Sequence, residues 1–134
     1  MSKVVSATVL LQRPDGRILM QLRDDGRGKT IPFPNTWNFP GGVVEPGETP
    51  LDAAVREMAE EFEIVIDRAD CVEVWQYPHA YALSDHIFLC PVPAGTRAVL
   101  HEGADCAWMT LAEIAELDLG FEQEKIVAHV LSKK

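Results

Sequence analysis

The amino-acid sequence predicts an α/β fold. The segment Val4–Leu11 is almost continuously apolar and rich in β-branched residues, a pattern typical of a buried central strand. A helical pattern follows over Pro50–Phe62, and further strand and helix patterns occupy the second half of the chain. Because 134 residues are enough for one domain with its own core, we expect a single domain over residues 1–134.

Composition and charge indicate which kinds of partner the protein is not expected to bind. The chain carries 21 acidic and 12 basic side chains, a net charge of -9, which argues against a surface for polymeric nucleic acid or for an anionic membrane. Cys71, Cys90 and Cys106 are odd in number and widely spaced in the sequence, as expected of reduced thiols rather than a disulfide or zinc set. With no leader and no long apolar run, we expect a cytoplasmic protein.

The first third of the chain predicts a hairpin followed by a long loop. Arg13–Gly16 is a turn signal, and Ile18–Leu22 is expected to pair with the first strand. Asp24–Thr36 is a polar loop long enough to border an active site. Arg23, just before it, fits two roles equally well, a solvated strand end or a contact to phosphate or base. Trp37–Phe39 is expected to form a short aromatic strand.

The helix over Pro50–Phe62 has clear boundary signals. Thr49 can cap its first turn, Pro50 suits the first helical position, and Asp52 lies three residues after the cap. Its apolar stripe consists of Leu51, Val55, Met58 and Phe62. The residues that mark a loop before it are Gly41, Gly42, Pro46 and Gly47.

The second half of the chain alternates strand and helix signals. Expected strands are Ile64–Ile66, Cys71–Tyr77 with Val72, Val74 and Gln76 alternating, Ser84–Pro91, Arg97–Glu102 and Asp105–Met109. The segment Pro78–Leu83 is expected to be a loop, either an ordinary hairpin loop or one that touches a base or sugar. Thr110 and Glu113 form a capping box for a helix to about Leu117, and a last helix carries the apolar stripe Ile126, Val127, Val130 and Leu131.

Three glutamates lie on one face of the central helix. Glu57, Glu60 and Glu61 are at positions i, i+3 and i+4, where like charges repel by a few tenths of a kcal/mol per pair. A hard divalent cation reverses that sign, because carboxylate oxygens suit Mg²⁺ or Mn²⁺. A solvated acidic face is the alternative for a generic pattern of this kind. The glycine loop before the helix and Arg56, which can hold a carboxylate in place, favour the metal site.

The segment around these glutamates resembles a known sequence signature. Residues 41–64 read GGVVEPGETPLDAAVREMAEEFEI and resemble the Nudix box, whose pattern is G-x5-E-x7-R-E-U-x-E-E-x-G-U with U aliphatic. The one departure is Glu63, where the family has a glycine that ends the helix. That difference questions the helix terminus more than the chemistry. The matching positions are Gly42, Glu48, Arg56, Glu57, Met58, Glu60, Glu61 and Ile64.

A second resemblance lies near the end of the chain. The segments His101–Gly103 and Ala107–Leu111 are similar to the E-G-x-x-x-x-W-M-S-L segment of the MutT branch of this family. The resemblance implies that Glu102 is a further metal ligand or a general base, whereas a surface glutamate beside a turn is the alternative. Gln123 lies near the place of an asparagine that reads the purine in that branch, so base recognition at Gln123 rests on a loose alignment.

The Nudix resemblance also implies a fold and the roles of the site residues. The implied fold is an α/β/α sandwich with a mixed central sheet. Glu57, Glu60, Glu61 and Glu102, with the Gly41 carbonyl, would hold Mg²⁺ or Mn²⁺, and Glu57 or Glu102 would be the base. Arg56 would orient Glu57, while Gly42 and Glu48 would shape the loop. Arg23, Phe39 and Gln123 are the candidate substrate contacts, although Phe39 fits core packing at least as well.

Three functions are compatible with these features. The first is a MutT-like hydrolase that splits a nucleoside triphosphate into a monophosphate and pyrophosphate; Asp118-Leu119 is similar to a branch acting on pyrimidine deoxynucleotides. The second is hydrolysis of a nucleoside diphosphate conjugate such as ADP-ribose or a nucleotide sugar. The position of Pro78 after the box is faintly similar to that of a proline in the ADP-ribose branch. The third is a non-catalytic nucleotide sensor, disfavoured because every charged box position is filled. In each case the expected partner is a small nucleotide. Because homodimers are common in the family, a second copy of the chain is a further possible partner.

Overall fold

A computed structural model describes residues 4–131, and within them seven strands form one mixed sheet. The strand order is β3-β2-β1-β6-β5, with β4 also beside β1 and β7 also beside β2. β1 runs parallel to β6, whereas the other pairs are antiparallel. The strands are β1 Val4–Gln12, β2 Ile18–Leu22, β3 Trp37–Asn38, β4 Gly41–Val43, β5 Val72–His79, β6 Ala82–Pro91 and β7 Asp105–Met109.

Helices α1 and α2 begin at the predicted caps. Helix α1 spans Pro50–Phe62, and the Thr49 hydroxyl accepts from the Asp52 N–H while the Asp52 carboxylate accepts from the Thr49 N–H. Helix α2 spans Leu111–Ala115, two residues shorter than expected, behind the Thr110–Glu113 capping box. Helix α3 spans Glu124–Ile126 and continues as a π-helical turn over Val127–Leu131. A 3-10 turn covers Arg68–Asp70.

Helices cover both faces of the sheet. Because side chains alternate along a strand, Ala7, Val9 and Leu11 of β1 face α1, while Leu10 faces the other side. The first core cluster packs these three residues against Ala53, Ala54, Met58 and Phe62 of α1. The second packs Leu10, Ile18 and Met20 against Ile114 of α2 and Ile126 of α3. The predicted α/β/α sandwich with a mixed sheet is confirmed, with β1 central and buried.

Two predicted strands are absent from the described residues. The segment Ile64–Ile66 pairs with no strand, and its apolar character reflects the side chains of Ile64 and Ile66, which are buried in the core cluster that includes α1. The segment Arg97–Glu102 also forms no strand. Its N–H groups instead bond the end of the helix, from Val99 to Phe62 O and from His101 to Glu61 O, both at 2.9 Å. Ile64 and Ile66 are buried and Ala98 and Leu100 partly buried, and neither contact requires a sheet.

The hairpin β5–β6 is tighter than predicted. The expected loop Pro78–Leu83 is a turn of two residues, Ala80 and Tyr81, because both strands extend further. The predicted alternation of Val72, Val74 and Gln76 is wrong. The register shifts between Glu73 and Trp75, so Tyr77 and His79 are buried, while Val72 and Gln76 are exposed. A bulge of this kind changes which side chains of the strand face the core, and a second register shift lies between Tyr77 and His79.

The predicted glycine loop begins as a strand. Gly41 and Gly42 lie in β4 and pair with Thr8 and Ala7 of β1. A Cβ on Gly41 would collide with the Ala7 carbonyl oxygen. Gly41 therefore serves a close approach between strands rather than a turn.

Helix α1 ends where the family pattern ends it, although the glycine is missing. Glu63 takes the left-handed conformation, with φ 56° and ψ 35°, and its N–H bonds the carbonyls of the last helical turn. Its carboxylate lies 2.6 Å from Nε2 of His101. The boundary is thus kept with a residue that has a Cβ, which strains the backbone at this position.

No helix within residues 4–131 has the length and apolar character needed to cross a membrane. Cys71, Cys90 and Cys106 are free thiols, and Cys90 is buried.

Candidate active site

A cavity of about 680 Å³ opens beside β1, β4 and α1. Its wall also includes the loop after β2, the β5–β6 turn and the segment before α3. The wall includes three glutamates, Glu57, Glu61 and Glu102, two aspartates, Asp24 and Asp85, and aromatic and polar groups. The predicted loop Asp24–Thr36 borders this cavity through residues including Arg27 and Lys29, as expected.

Glu61 is the most deeply buried of the three acids. Its residue is 7% exposed, and its Oε2 has no hydrogen-bond partner among the described residues. The pKa of Glu61 is raised to about 9, mainly by burial and in smaller part by the neighbouring charges of Glu57 and Glu102. Burial also raises the pKa of Glu57, against the lowering effect of Arg56. A cation beside Glu57 and Glu61 would favour the ionised form of both carboxyls.

The acidic group, which consists of Glu57, Glu61 and Glu102, offers ligands suited to a hard cation but does not form a complete metal site. In residues 4–131 no three His, Cys, Asp or Glu side chains are already arranged to hold a metal ion. The unpartnered Glu61 oxygen and the raised pKa values of Glu57 and Glu61 are nevertheless what a cation would relieve. The donors are all oxygens, which Mg²⁺ and Mn²⁺ prefer.

Arg56 holds the start of this site in place. Its Nε and Nη2 bond the two carboxylate oxygens of Glu48 at 2.7 and 3.0 Å, and Nη2 reaches Val43 O at 3.1 Å. Its Nη1 bonds Glu57 at 2.7 Å and Glu60 at 2.9 Å. The bonds to Glu48 are the main cause of a raised pKa of Arg56 and of a lowered pKa of Glu48. Arg56 therefore lies where it can orient Glu57.

Glu48 and Gly42 shape the segment between β4 and α1. Glu48 Oε1 accepts from the Glu45 N–H at 2.9 Å, which closes the turn before the helix. A Cβ on Gly42 would collide with the Glu57 side chain. The absence of that Cβ lets Glu57 lie flat against β4, beside Gly41, which also lines the cavity.

Two further predicted ligands differ in their placement. Glu60 lies outside the cavity wall: its side chain is 59% exposed and bonds Arg56. Glu102 lines the cavity, and its carbonyl accepts from Gln21 Nε2 at 2.7 Å. Gly103, with φ +88° and packed against Leu22 O, allows the turn that brings Glu102 there.

Aromatic side chains surround another part of the cavity. Phe33, Tyr81 and Phe121 meet edge to face, with ring centroids 4.8 to 5.7 Å apart. The Arg23 guanidinium lies 5.0 Å from the Phe121 ring centroid, and its Nε donates to Pro32 O at 3.0 Å. Arg23, Tyr81 and Phe121 line the cavity. No periodic pattern in the sequence indicates this cluster, because its members come from three separate loops and turns.

Phe39 and Gln123 lie together in the cavity wall. Phe39 is 4% exposed and belongs to the second core cluster, which agrees with the preference for core packing. Gln123 Oε1 accepts from the Phe39 N–H at 2.8 Å, and its Nε2 donates to Phe39 O at 3.5 Å. The Gln123 amide thus already bonds the backbone, at the position where a base reader was expected.

A family model of the NUDIX domain matches residues 2–130. The chain belongs to the Nudix hydrolase family. This Nudix chain is 30% identical over 112 residues to a MutT-like protein from Streptomyces ambofaciens, covering 84% of the chain and 67% of that protein. It is 30% identical over 125 residues to a dihydroneopterin triphosphate diphosphatase from Haemophilus influenzae, covering 81% and 75%. It is also 32% identical over 115 residues to a nucleoside diphosphate-linked moiety X motif 6 protein from Xenopus laevis, where it spans 81% of the chain and 50% of the relative.

Solved structures confirm the Nudix fold. A MutT/Nudix family protein from Listeria innocua matches with a TM-score of 0.78 and 21% identity, covering 98% of this chain and 94% of that one. A MutT structure from work on Aliivibrio salmonicida and Vibrio cholerae matches with a TM-score of 0.77 and 22% identity, covering 97% and 98%.

Proposed function

We propose that this Nudix protein hydrolyses a pyrophosphate bond in a nucleoside triphosphate and releases a nucleoside monophosphate and pyrophosphate, with Mg²⁺ or Mn²⁺ as cofactor. The observation that carries the proposal is the meeting of Glu57, Glu61 and Glu102 in one cavity that also has aromatic and cationic groups. Two similar proteins from Haemophilus influenzae are named for triphosphate substrates, dihydroneopterin triphosphate and 8-oxo-dGTP.

The cation would be held by carboxylates from two elements. Glu57 and Glu61 come from α1 and Glu102 from the loop before β7, and the Gly41 carbonyl is the proposed backbone ligand. When bound, the cation supplies charge neutralisation at the phosphates and a more acidic water. Glu60 stays a predicted ligand, although in this structure Arg56 binds its carboxylate outside the cavity.

The residues of the chain divide the remaining tasks. Arg56 positions Glu57, because one guanidinium fixes Glu48, Glu57 and the Val43 carbonyl together. Glu57 and Glu102 are the two candidate bases, since each places a carboxylate in the cavity. Arg23, above the Phe121 ring, is the proposed contact to a phosphate or base.

A nucleoside diphosphate conjugate is the second candidate substrate. The match to the Xenopus laevis protein, whose name refers to nucleoside diphosphate-linked moieties, favours it. The cytoplasmic location and a homodimer stay predictions.

The decisive experiment is hydrolysis of a substrate panel with Mg²⁺. Triphosphates and diphosphate conjugates would be compared by release of pyrophosphate or of monophosphate. We expect triphosphate turnover that falls at least a hundredfold in Glu57→Gln, Glu61→Gln and Glu102→Gln. Glu116→Gln is the matched control, since Glu116 is exposed directly after α2 and does not line the cavity. Turnover of conjugates alone would replace the first candidate by the second.

The same panel tests Glu60 and the choice of base. An equal loss in Glu60→Gln would mean that Glu60 leaves Arg56 and turns to the cation. The base, Glu57 or Glu102, is identified by the pH dependence of the hydrolysis rate. Its glutamine variant should no longer show the fall in rate at acidic pH, while the affinity for Mg²⁺ is kept. No turnover of any substrate, with nucleotides still bound, would refute the hydrolase proposal and favour a sensor.

A further inference from the structure

We propose that Asp85 selects the ring of the ligand in this cavity, and that the ring presents an N–H group beside an amino group, the edge shared by guanine and the pterins. The inference rests on the proposed function, because it concerns the ligand of the same cavity. Asp85 lines the cavity from β6 and is separate from the acidic group of α1.

Asp85 is a buried carboxylate held by uncharged donors. It is 2% exposed. The Thr8 hydroxyl lies 3.0 and 3.1 Å from its two oxygens, and His79 Nε2 lies 3.3 Å from Oδ2. The Tyr81 N–H donates to His79 Nδ1 at 3.0 Å, so Nδ1 is an acceptor and the ring proton is on Nε2, facing Asp85. The imidazole is therefore neutral, and the ion pairs within residues 4–131 give Asp85 no Lys or Arg partner.

The Asp85 carboxylate has unused capacity to accept. Its two oxygens offer about four lone-pair positions, and Thr8 and His79 supply one hydrogen each. A buried charge with open acceptor positions is costly, and donors on a ligand would satisfy it. Because Thr8, His79 and Asp85 all line the cavity, a ligand ring can reach this group.

The neighbouring amides are already occupied. Asn38 Nδ2 donates to the carbonyl and hydroxyl oxygens of Thr36 at 3.1 and 2.9 Å, and its Oδ1 accepts from the Gly120 N–H at 2.7 Å. Gln123 bonds the backbone of Phe39. Recognition of a ring by this part of the wall therefore depends chiefly on an acceptor, the Asp85 carboxylate.

The carboxylate distinguishes among base edges. Two oxygens side by side match two adjacent donors, which guanine and pterins present as a ring N–H and an amino group. Adenine and cytosine place a ring acceptor next to the amino group, and uracil places carbonyls on both sides of its N–H. Each of these would bring an acceptor against the carboxylate, which repels it.

The sheet register separates Asp85 from the proposed cation ligands. Ala7 of β1 pairs with Gly42 of β4 on one side and with His86 of β6 on the other. Two strand spacings place β6 about 10 Å from β4. Glu57 lies against Gly42 on the α1 face of the sheet, whereas Asp85 bonds Thr8 on the opposite face. Because both Asp85 and Glu57 line the same cavity, an extended ligand can contact Asp85 with its ring and Glu57, Glu61 and Glu102 with its phosphates.

Binding of monophosphates tests the inference without any turnover. Calorimetry would compare GMP with IMP, which lacks the amino group, and with XMP, which has a carbonyl in its place. We expect wild-type protein to bind GMP about tenfold to a hundredfold more tightly than IMP, and XMP no better than IMP. Asp85→Asn turns one acceptor into a donor, so XMP should then bind more tightly than GMP. Asp70→Asn, which removes an exposed carboxylate outside the cavity, should keep the wild-type order.

Equal binding of GMP and IMP by the wild-type protein, within twofold, would overturn the inference, and this comparison needs no variant to fold. An equal loss for all three ligands in Asp85→Asn, with a lowered melting temperature, would show a structural role only and would also overturn it. Turnover of GTP against dihydroneopterin triphosphate separates guanine from pterin. If no triphosphate is hydrolysed but GMP is preferred, the proposed function fails while the inference stands.

Discussion

Replacing Glu63 by glycine should release strain at the end of α1. Glu63 has φ 56° and ψ 35°, a conformation that costs a residue with a Cβ about 1–2 kcal/mol. Glycine avoids that cost but loses about 0.4–1 kcal/mol because its unfolded chain is freer. Against an alanine at the same position, the glycine variant should therefore be more stable by about 1 kcal/mol.

The alanine variant is the control that separates strain from the side-chain contact. Both variants lose the pairing of Glu63 with His101, whose side chains are 57% and 49% exposed. Such an exposed pair contributes about 0–1 kcal/mol, so Glu63→Ala should be slightly less stable than the wild type. Glu63→Gly should equal or exceed the wild type.

Thermal unfolding measures these differences directly. For a chain of this length, about 1 kcal/mol corresponds to about 3–5 °C in Tm. Hydrolysis should be unchanged in both variants, because Glu63 does not line the cavity. Equal Tm values for Glu63→Gly and Glu63→Ala would refute the argument that the left-handed residue strains the helix end.

Three further predictions concern the acidic group. Because burial raises the folded-state pKa of Glu61 from 4.5 to about 9, the contribution of Glu61 to the stability of the metal-free protein should be fully present below the unfolded value and be lost as pH rises through the folded one. Glu61→Gln should remove that loss in melting curves from pH 5 to 9 with chelator, and an unchanged pH slope would contradict it. Gly42→Ala should displace Glu57 and lower kcat at least tenfold, whereas Gly95→Ala, where a Cβ meets open space, should leave kcat unchanged. Arg56→Lys should also lower kcat at least tenfold, since an ammonium cannot repeat the forked contacts; wild-type kcat would argue against a positioning role.

Periodicity was sufficient where one face of an element is buried. The bounds of α1 agreed with its caps and apolar stripe, and the predicted strands Ile18–Leu22 and Asp105–Met109 have the same first and last residues in the structure. It failed where apolar residues are buried without a partner strand, as at Ile64–Ile66, and where a bulge shifts the register, as between Glu73 and Trp75. Both depend on neighbours distant in the sequence, which periodicity does not record.

Some residues of the site were also indicated by the sequence, whereas others needed the structure. The spacing of Glu57 and Glu61 along α1 determined that both carboxylates share one side of the helix, and the resemblance of the tail to the MutT branch pointed to Glu102. A signal for Asp85 was also present, an acid within the apolar strand Ala82–Pro91, but its meaning needed the cavity.

The sequence by itself determined helix α1, several of the strands, the caps of α1 and α2 and the local spacing of the charged groups, because helix and strand periodicity are short-range properties of the chain. Only the tertiary structure decided which carboxylates meet. It placed Glu102 in the cavity with Glu57 and Glu61, left Glu60 on Arg56, and surrounded Asp85 with Thr8 and His79. Burial and the pairing of side chains 40 or more residues apart depend on how sheet and helices pack, so these features appear only when the layers are assembled.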